Sequence, residues 1–225
     1  MNINTLQQIE EDIKEFLDKE LEEKARVFLN EWDFQMKLSL FLTHIKGYKV
    51  HLEYVVPLSF LTKREYPFAN KENINIDIVI EKEGLFYLIE LKYKTQRATI
   101  KFERFGEINC VSLKDQSRIP MSKYDFWKDV ARLEFLKESF EKVKGGLCIF
   151  LTNNETYTKG DKGISEEFTM EAQKSHIGTL TLKDGKTKKK CPEFSLSKDY
   201  QIEKWNKVAN EETKIAFHYC IVRVD

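Results

Sequence analysis

The stretch NINIDIVIEKEGLFYLIELK, residues 73–92, decides the fold. Isoleucine recurs at every second position from Ile74 to Ile80, which predicts a β-strand whose isoleucines share one face. The residues Glu81 to Gly84 predict a turn, and a second strand follows from Leu85. The pattern therefore predicts a β-hairpin, which we expect to close with Ile80 opposite Leu85.

Further elements are predicted on both sides of this hairpin. A capping box at Thr5 starts an N-terminal helix, and Asn30 is the N-cap of a second helix that Gly47 ends. The other predictions are a strand at 49–56, an irregular connection at 58–73, a helix from near Ser122 to Gly145-Gly146, strands at 147–152 and 215–224, and a hairpin at 179–190 around Asp184-Gly185.

These elements indicate an α/β protein with helices packed around a mixed central β-sheet. Residues 1–29 are predicted to form an N-terminal helix packed on the core. Residues 30–225 are predicted to form one domain with a C-terminal β extension. The stretch from residue 94 to residue 119 has no clear periodicity and is left unassigned.

Composition excludes several classes of protein. The chain has 225 residues, of which 41% are hydrophobic, with 37 basic and 37 acidic residues. It contains no run of about 18 apolar residues, so no membrane span is expected. From its polar start we expect no secretory signal, and from its four scattered cysteines we expect neither a zinc ribbon nor a disulfide scaffold. We therefore expect a reduced, soluble, cytoplasmic protein, which as a nucleic-acid binder would need a local basic face.

Three charged side chains are predicted to meet on the hairpin. Glu90 and Lys92 lie two residues apart on one strand, so they share a face at roughly 6.5–7 Å. In the expected register Asp77 is opposite Leu88 and diagonal to Glu90, at about 7–8 Å. Two carboxylates and an ammonium group therefore converge on one patch of sheet.

Buried carboxylates need compensation, and a divalent cation is a natural one. Mg²⁺ prefers oxygen ligands and keeps water in its coordination shell, and a metal-bound water can act as a nucleophile. Lys92 could then orient that water or stabilise developing charge. The alternative is a surface hairpin on which Asp77, Glu90 and Lys92 are solvated charges, and the residues alone leave both interpretations open.

At this point the chain resembles a known family. The pattern of Asp77, a hairpin, and Glu90-Leu91-Lys92 is similar to the PD-(D/E)XK nuclease superfamily, also called the restriction-endonuclease-like fold. The family order of helix, strand, strand with Asp, strand with E-x-K, helix and strand matches residues 30–152. The family's Pro before the Asp is replaced here by Ile76.

The resemblance implies roles for five residues. Asp77, Glu90 and the carbonyl of Leu91 would be ligands of Mg²⁺, for which Mn²⁺ could substitute, and Lys92 would be the catalytic lysine. Many members place a Glu on the helix before the sheet, and Glu31 fits this position. The alternative for Glu31 is a carboxylate that interacts only with the helix dipole.

Other polar residues are weaker candidates. Glu53 could be an additional ligand or a solvated strand residue. The stretch from Tyr124 to Glu134 resembles a bacterial group of the superfamily with mostly unassigned roles. There, Lys128 and Arg132 could contact a phosphate, whereas Asp129 and Arg132 could instead form a surface ion pair.

The basic run Lys186 to Lys190 could grip a phosphate backbone or simply be a solvated hairpin edge. The four histidines show no metal-ligand spacing.

The expected function is that of a Mg²⁺-dependent nuclease that hydrolyses phosphodiester bonds. The expected substrate is DNA, and the expected assembly is a homodimer. The alternatives are a nucleic-acid-binding module or a regulatory subunit of a defence or repair complex that has the same fold and no activity of its own.

Overall fold

The secondary structure is that of a mixed α/β protein. The computed structural model describes residues 4–22, 27–61, 66–68, 72–116, 118–184, 191–209 and 213–225. Its helices and strands are α1 (Thr5–Glu22), α2 (Glu31–His44), β1 (Lys49–Pro57), β2 (Asn73–Lys82), β3 (Leu85–Lys94), β4 (Ala98–Arg104), β5 (Glu107–Leu113), α3 (Ile119–Ser139), β6 (Val143–Thr152), β7 (His176–Leu180), β8 (Phe194–Tyr200), β9 (Asn206–Ala209) and β10 (Ala216–Val224).

Six strands form a central mixed sheet in the order β1-β2-β3-β6-β10-β9. β3 and β6 run parallel, and the other neighbouring strands are antiparallel. The buried faces of α1 and α2 pack in one hydrophobic core on one face of the sheet, and α3 packs in a second core on the other face. The prediction of a mixed sheet flanked by helices is therefore confirmed.

The predicted hairpin exists, but its register was wrong. Ile80 pairs with Tyr87, not with Leu85, because the strands extend as far as Lys82 and Leu85. The connection is a two-residue turn whose members both have positive φ, 55° at Glu83 and 73° at Gly84. Positive φ at both residues is the conformation of a type I′ turn, whose twist suits a hairpin. The loop therefore has two residues, fewer than the four from Glu81 to Gly84 that were predicted.

The sequence predicted that the isoleucines of β2 share one face, and this prediction was wrong. Ile78 and Ile80 pack in the core of α1 and α2, whereas Ile74 and Ile76 pack in the core of α3. The alternation of side chains must therefore break between these two pairs, which is where Asp77 lies. β2 consequently contributes buried residues to both cores.

A side chain from α2 occupies this break. No β1–β2 pairing joins Glu53 to Asp77, although the residues on either side of them are paired, and Glu53 has φ of 47°. The Gln35 amide donates to the Asp77 carbonyl at 2.7 Å and to the Glu53 carboxylate at 2.8 Å. The bond to Asp77 satisfies a backbone carbonyl that would otherwise pair within the sheet.

Asparagines cap the starts of α1 and α2. The Asn30 side chain accepts a hydrogen bond from the Asp33 amide at 2.8 Å, which confirms the predicted N-cap of α2. At α1 the prediction was wrong, because Asn4 rather than Thr5 caps the helix by accepting from the Leu6 amide at 3.1 Å. Asparagine is the stronger capping residue of the two.

The predicted limits of α3 were also wrong. The helix begins before Ser122 and ends well before Gly145 and Gly146, which lie inside β6. A Cβ at Gly145 would lie 2.5 Å from the Val224 carbonyl oxygen, and one at Gly146 would lie 2.7 Å from the Leu88 carbonyl oxygen. The glycines thus allow β6 to lie close to its neighbouring strands.

Two small β-ribbons lie outside the central sheet. β4 and β5 form a hairpin in the stretch that the sequence left unassigned. β7 pairs with β8 at residues 194–200, so the predicted hairpin within residues 179–190 was wrong. The basic run Lys186 to Lys190 lies outside the described residues. Within the described part of the chain, no helix has the length and apolar character needed to cross a membrane.

Candidate active site

A polar cavity of about 570 Å³ opens where the sheet faces α3. It lies at the β2 break and the Lys94 end of β3, and Glu31 contributes to it from the first turn of α2. The residues around it are Glu31, Tyr66, Phe68, Asn73, Ile74, Asn75, Asp77, Glu90, Lys92, Lys94, Asp125, Lys128, Asp129 and Arg132. The structure thus brings together Glu31, Asp77, Glu90, Lys92, Lys128 and Arg132, as the sequence proposed, whereas the weaker candidate Glu53 does not line the cavity.

Glu90 is as deeply buried as Asp129, with 2% of its surface exposed. It lies on the same face of β3 as Leu88, which packs in the core of α3. Arg132 Nη2 lies 2.6 Å from Glu90 Oε2, but neither carboxylate oxygen receives a hydrogen bond of regular geometry from the described residues. Buried carboxylate oxygens of this kind need a compensating partner.

Lys92 is held by a carboxylate of α3. Its Nζ lies 2.6 Å from Asp129 Oδ2, and Arg132 Nη2 lies 2.8 Å from Asp129 Oδ1. The predicted pair of Asp129 and Arg132 therefore exists, but it is buried rather than on the surface. Asp129 joins the two cations of the site and fixes the position of the Lys92 ammonium.

Asp77 is tied to the neighbouring strand. Its Oδ2 accepts a hydrogen bond from the Leu91 amide at 2.7 Å, while Gln35 holds its carbonyl. The Leu91 carbonyl, which the resemblance implied as a metal ligand, accepts from Lys92 Nζ at 3.2 Å. Asp77 and Glu90 therefore lie on adjacent strands beside the same lysine.

Glu31 reaches the sheet from the start of α2. Its Oε2 accepts a hydrogen bond from the Tyr93 amide at 2.7 Å and lies 3.7 Å from Lys94 Nζ. The side chain thus points toward the end of β3, as its position in the first turn predicted. It is less buried than Glu90, with 41% of its side chain exposed.

Burial and charge move the pKa values of the site in opposite directions. Burial raises the pKa of Glu90 well above its usual value; Arg132 opposes this rise, and Asp129 and Asp77 reinforce it. Burial also raises the pKa of Asp77, against the opposing effect of Lys92. For Asp129 the cations outweigh burial and lower the pKa, and for Lys92 the surrounding carboxylates outweigh burial and raise the pKa.

The donor set fits a hard cation that needs few protein ligands. No group of three or more His, Cys, Asp and Glu side chains in the described residues is arranged to hold a metal ion. Mg²⁺, however, is commonly bound by only one or two carboxylates with water and substrate oxygens. The two oxygens of Glu90 and the adjacent carboxylate of Asp77 meet that requirement.

Sequence reasoning overlooked two contributors to the site. Gln35 holds the backbone of Asp77, and its spacing of four residues from Glu31 was the available signal. Tyr66 was assigned to an irregular connection, yet it lies against Arg132, and burial raises its pKa to about 12. By contrast, Lys128 pairs with Asp125 at 3.1 Å within α3 and is partly exposed at the cavity.

Comparisons of the chain with protein-family models, with curated proteins and with solved structures found no match.

Proposed function

We propose that this protein is a metal-dependent nuclease that hydrolyses phosphodiester bonds, with DNA as its substrate. The observation that carries the proposal is the Glu90 carboxylate, buried without a regular hydrogen-bond donor, beside Lys92 and Asp77 in an open polar cavity. A buried carboxylate and a charged lysine in one cleft are characteristic of functional sites.

The arrangement of elements supports the same proposal. The order α2, β1, β2, β3, α3 and β6 carries Asp77 on the second strand and Glu90 with Lys92 on the third. These are the positions of the acidic residues and the lysine in the PD-(D/E)XK superfamily. We therefore propose a restriction-endonuclease-like core built from these six elements.

Each residue of the site has a role in this proposal. Asp77, Glu90, the Leu91 carbonyl and Glu31 would hold Mg²⁺, or Mn²⁺ in its place. When bound, the cation supplies positive charge and a water of lowered pKa. Lys92 positions the attacking water and stabilises charge on the phosphate, and Arg132 and Lys128 contact neighbouring phosphates. Asp129 positions Lys92.

A cleavage assay tests the proposal. Purified protein is expected to cleave plasmid or oligonucleotide DNA with Mg²⁺ or Mn²⁺ and to stop when a chelator is added. Lys92→Ala should lower the cleavage rate by at least about a hundredfold, the usual size for a group that acts on charge or protons in the transition state. Lys82→Ala, which removes an exposed lysine from the far end of β2, is the control. Cleavage that survives exhaustive chelation, or that Lys92→Ala leaves intact, would contradict the proposal.

One observation favours a second function. α3 already neutralises the two central groups of the site, because Arg132 contacts Glu90 and Asp129 contacts Lys92. Such a network suits a nucleic-acid-binding or regulatory subunit of a larger complex that retains the site without using it. Tight DNA binding with no cleavage of any DNA substrate would support this function instead.

A further inference from the structure

The β4–β5 ribbon leaves the fold beside the candidate site. β4 starts a few residues after Lys94, which lines the cavity, and β5 ends a few residues before α3 begins. In β4 and β5, every described side chain from residue 101 to residue 110 is exposed. This outer part projects by roughly 15 Å if its strands have the usual rise per residue.

The base of the ribbon is firmly anchored. Ile100 and Leu113 are buried in the core of α1 and α2. The Thr95 hydroxyl donates to the Lys114 carbonyl at 2.7 Å, and Asn153 exchanges hydrogen bonds of 2.8 and 3.2 Å with the backbone of Gln96. A fixed base with a free tip can hold the tip at a constant place relative to the cavity.

The tip presents apolar side chains to solvent. Phe105 is fully exposed, and Ile108 is 73% exposed. Phe105 also has φ of 56° in a two-residue turn with Gly106, a position at which Asn, Asp or Gly is preferred. An aromatic residue there is unfavourable for the turn itself, and this points to a contact of Phe105 with a partner.

The charge of this region suits a polyanion. Residues 94–118 contain six Lys or Arg against three Asp or Glu, whereas the whole chain has 37 of each. The excess lies at the base of the ribbon, because the projecting residues 101–110 contain two basic and two acidic residues. An excess of positive charge next to the cavity is the electrostatic feature expected of a surface that follows phosphates. The apolar side chains at the tip can pack against bases, whereas charged phosphates offer them no apolar surface.

We propose that the β4–β5 ribbon enters a groove of duplex DNA and places Phe105 against the bases, an inference that rests on the proposed function. The dimensions agree, because the major groove of B-DNA is about 12 Å wide and 8.5 Å deep and admits a two-stranded ribbon. The projecting ribbon is therefore long enough for its tip to reach the base pairs. Lys101, which is exposed on β4, contacts a phosphate.

Duplex binding measured in chelator tests the ribbon independently of cleavage. A fluorescent 30-base-pair duplex is titrated with the full chain at several salt concentrations. Phe105→Ala is expected to weaken binding about tenfold, the size expected when an apolar side chain loses its burial against base edges, with an unchanged salt slope. Lys101→Ala should reduce the slope by about 0.9, because one phosphate contact is lost. Phe60→Ala, at an exposed phenylalanine outside the ribbon, should bind as the parent does. Phe105→Asn, which suits the turn better, should lose affinity while keeping full thermal stability.

The outcomes separate this inference from the proposed function. Parent-like affinity of Phe105→Ala overturns the ribbon inference even if the protein cleaves DNA. Loss of a dimer in Phe105→Ala with unchanged DNA affinity also overturns it, because the tip then binds a second copy of the chain. Ribbon-dependent binding without any metal-dependent cleavage supports the ribbon and contradicts the nuclease. Failure of the parent to bind duplex DNA overturns both.

Discussion

Two carboxylates, Glu90 and Asp129, contact the same guanidinium group of Arg132 but differ in their electrostatic balance. Asp129 also contacts Lys92, so two cations favour its charged form and its pKa is lowered. Among the described residues, Glu90 forms an ion pair with Arg132 alone, and its burial dominates, so its pKa is raised. The two residues should therefore affect stability in opposite directions at neutral pH.

Glu90→Gln should leave the metal-free protein as stable as the parent, or more stable, at pH 7.5. A raised pKa means that the stability contributed by Glu90 is present at pH values below its ordinary pKa of 4.5. This stability is lost as the pH rises toward the pKa of Glu90 in the folded state. Glutamine imitates the protonated form, so the difference in melting temperature should vanish near pH 4. Thermal melts in chelator across this pH range provide the measurement, with Glu193→Gln as the exposed control. A clear loss of stability at pH 7.5 would show that the charge on Glu90 stabilises the fold.

Asp129→Asn should instead destabilise the protein by about 3–5 kcal/mol at pH 7.5, because Lys92 and Arg132 lose their shared carboxylate. A lowered pKa means that the stability contributed by the Asp129 carboxylate is present at pH values above its ordinary pKa of 3.8. The difference in unfolding free energy between parent and variant should therefore narrow as the pH falls below 3.8. Urea denaturation of the parent and the variant measures the change. Asp125→Asn, in a partly exposed pair, should cost no more than about 1 kcal/mol, and equal costs for the two variants would contradict this account of the buried network.

At the scale of elements, the positions of the site residues depend on how closely β6 packs against β3 and α3, because β3 carries Glu90 and α3 carries its partners. Gly146 pairs with Leu88 in β3, and a Cβ there would also lie 2.7 Å from a methyl group of Leu133 in α3. The double glycine is therefore a packing requirement of the sheet. It is not the helix stop that its sequence suggested.

Gly146→Ala should destabilise the protein by about 1–3 kcal/mol, the usual cost of overpacking a core. Gly160→Ala is a matched control, since its added methyl group would meet only the movable carboxylate of Glu171, at 2.8 Å. Chemical denaturation of both variants gives the comparison. Similar stability of Gly146→Ala and the parent would mean that β6 can move away from β3 and α3 without cost.

At the scale of the whole molecule, the balance of 37 basic and 37 acidic residues provides no overall attraction to a polyanion. Under the proposed function, DNA affinity therefore has to come from a few local cations, and Lys128 at the cavity is a candidate. Each phosphate contact contributes about −0.9 to the slope of log K against log salt concentration.

Lys128→Ala should reduce that slope by about 0.9 and weaken binding to all DNA sequences alike, because a phosphate contact carries no sequence information. Binding isotherms at four or more salt concentrations measure the slope. Lys82→Ala should keep the slope of the parent. An unchanged slope in Lys128→Ala would remove this lysine from the DNA-binding surface.

Local sequence signals predicted part of this molecule well. The period of two and the E-x-K spacing placed Glu90 and Lys92 on one face of a strand, and Asn30 marked the start of α2. The register failed because Glu81 to Gly84 is compatible with turns of different lengths, and only the observed φ values decide between them. The contact of Asp129 with Lys92 joins residues far apart in the chain, which no local pattern can reveal.

The break in β2 could not be predicted for the same reason. Its cause is a side chain of α2, since Gln35 takes the place of a strand-to-strand contact at Asp77. The ribbon of β4 and β5 was missed because the described side chains at residues 101–110 are exposed, so no buried face imposes a sustained alternation of apolar and polar residues on its outer part.

A calorimetric titration with Mg²⁺ and Mn²⁺ tests most directly the claim that Asp77 and Glu90 form a metal site. The parent should bind a divalent cation, Asp77→Ala should lose this binding, and Lys92→Ala should largely retain it, because the lysine acts on water and phosphate rather than on the metal. Melting curves recorded with and without Mg²⁺ should show metal-dependent stabilisation in the parent and in Lys92→Ala only. Binding of Mg²⁺ by Asp77→Ala with the affinity of the parent would contradict the assignment of this hairpin as the active site.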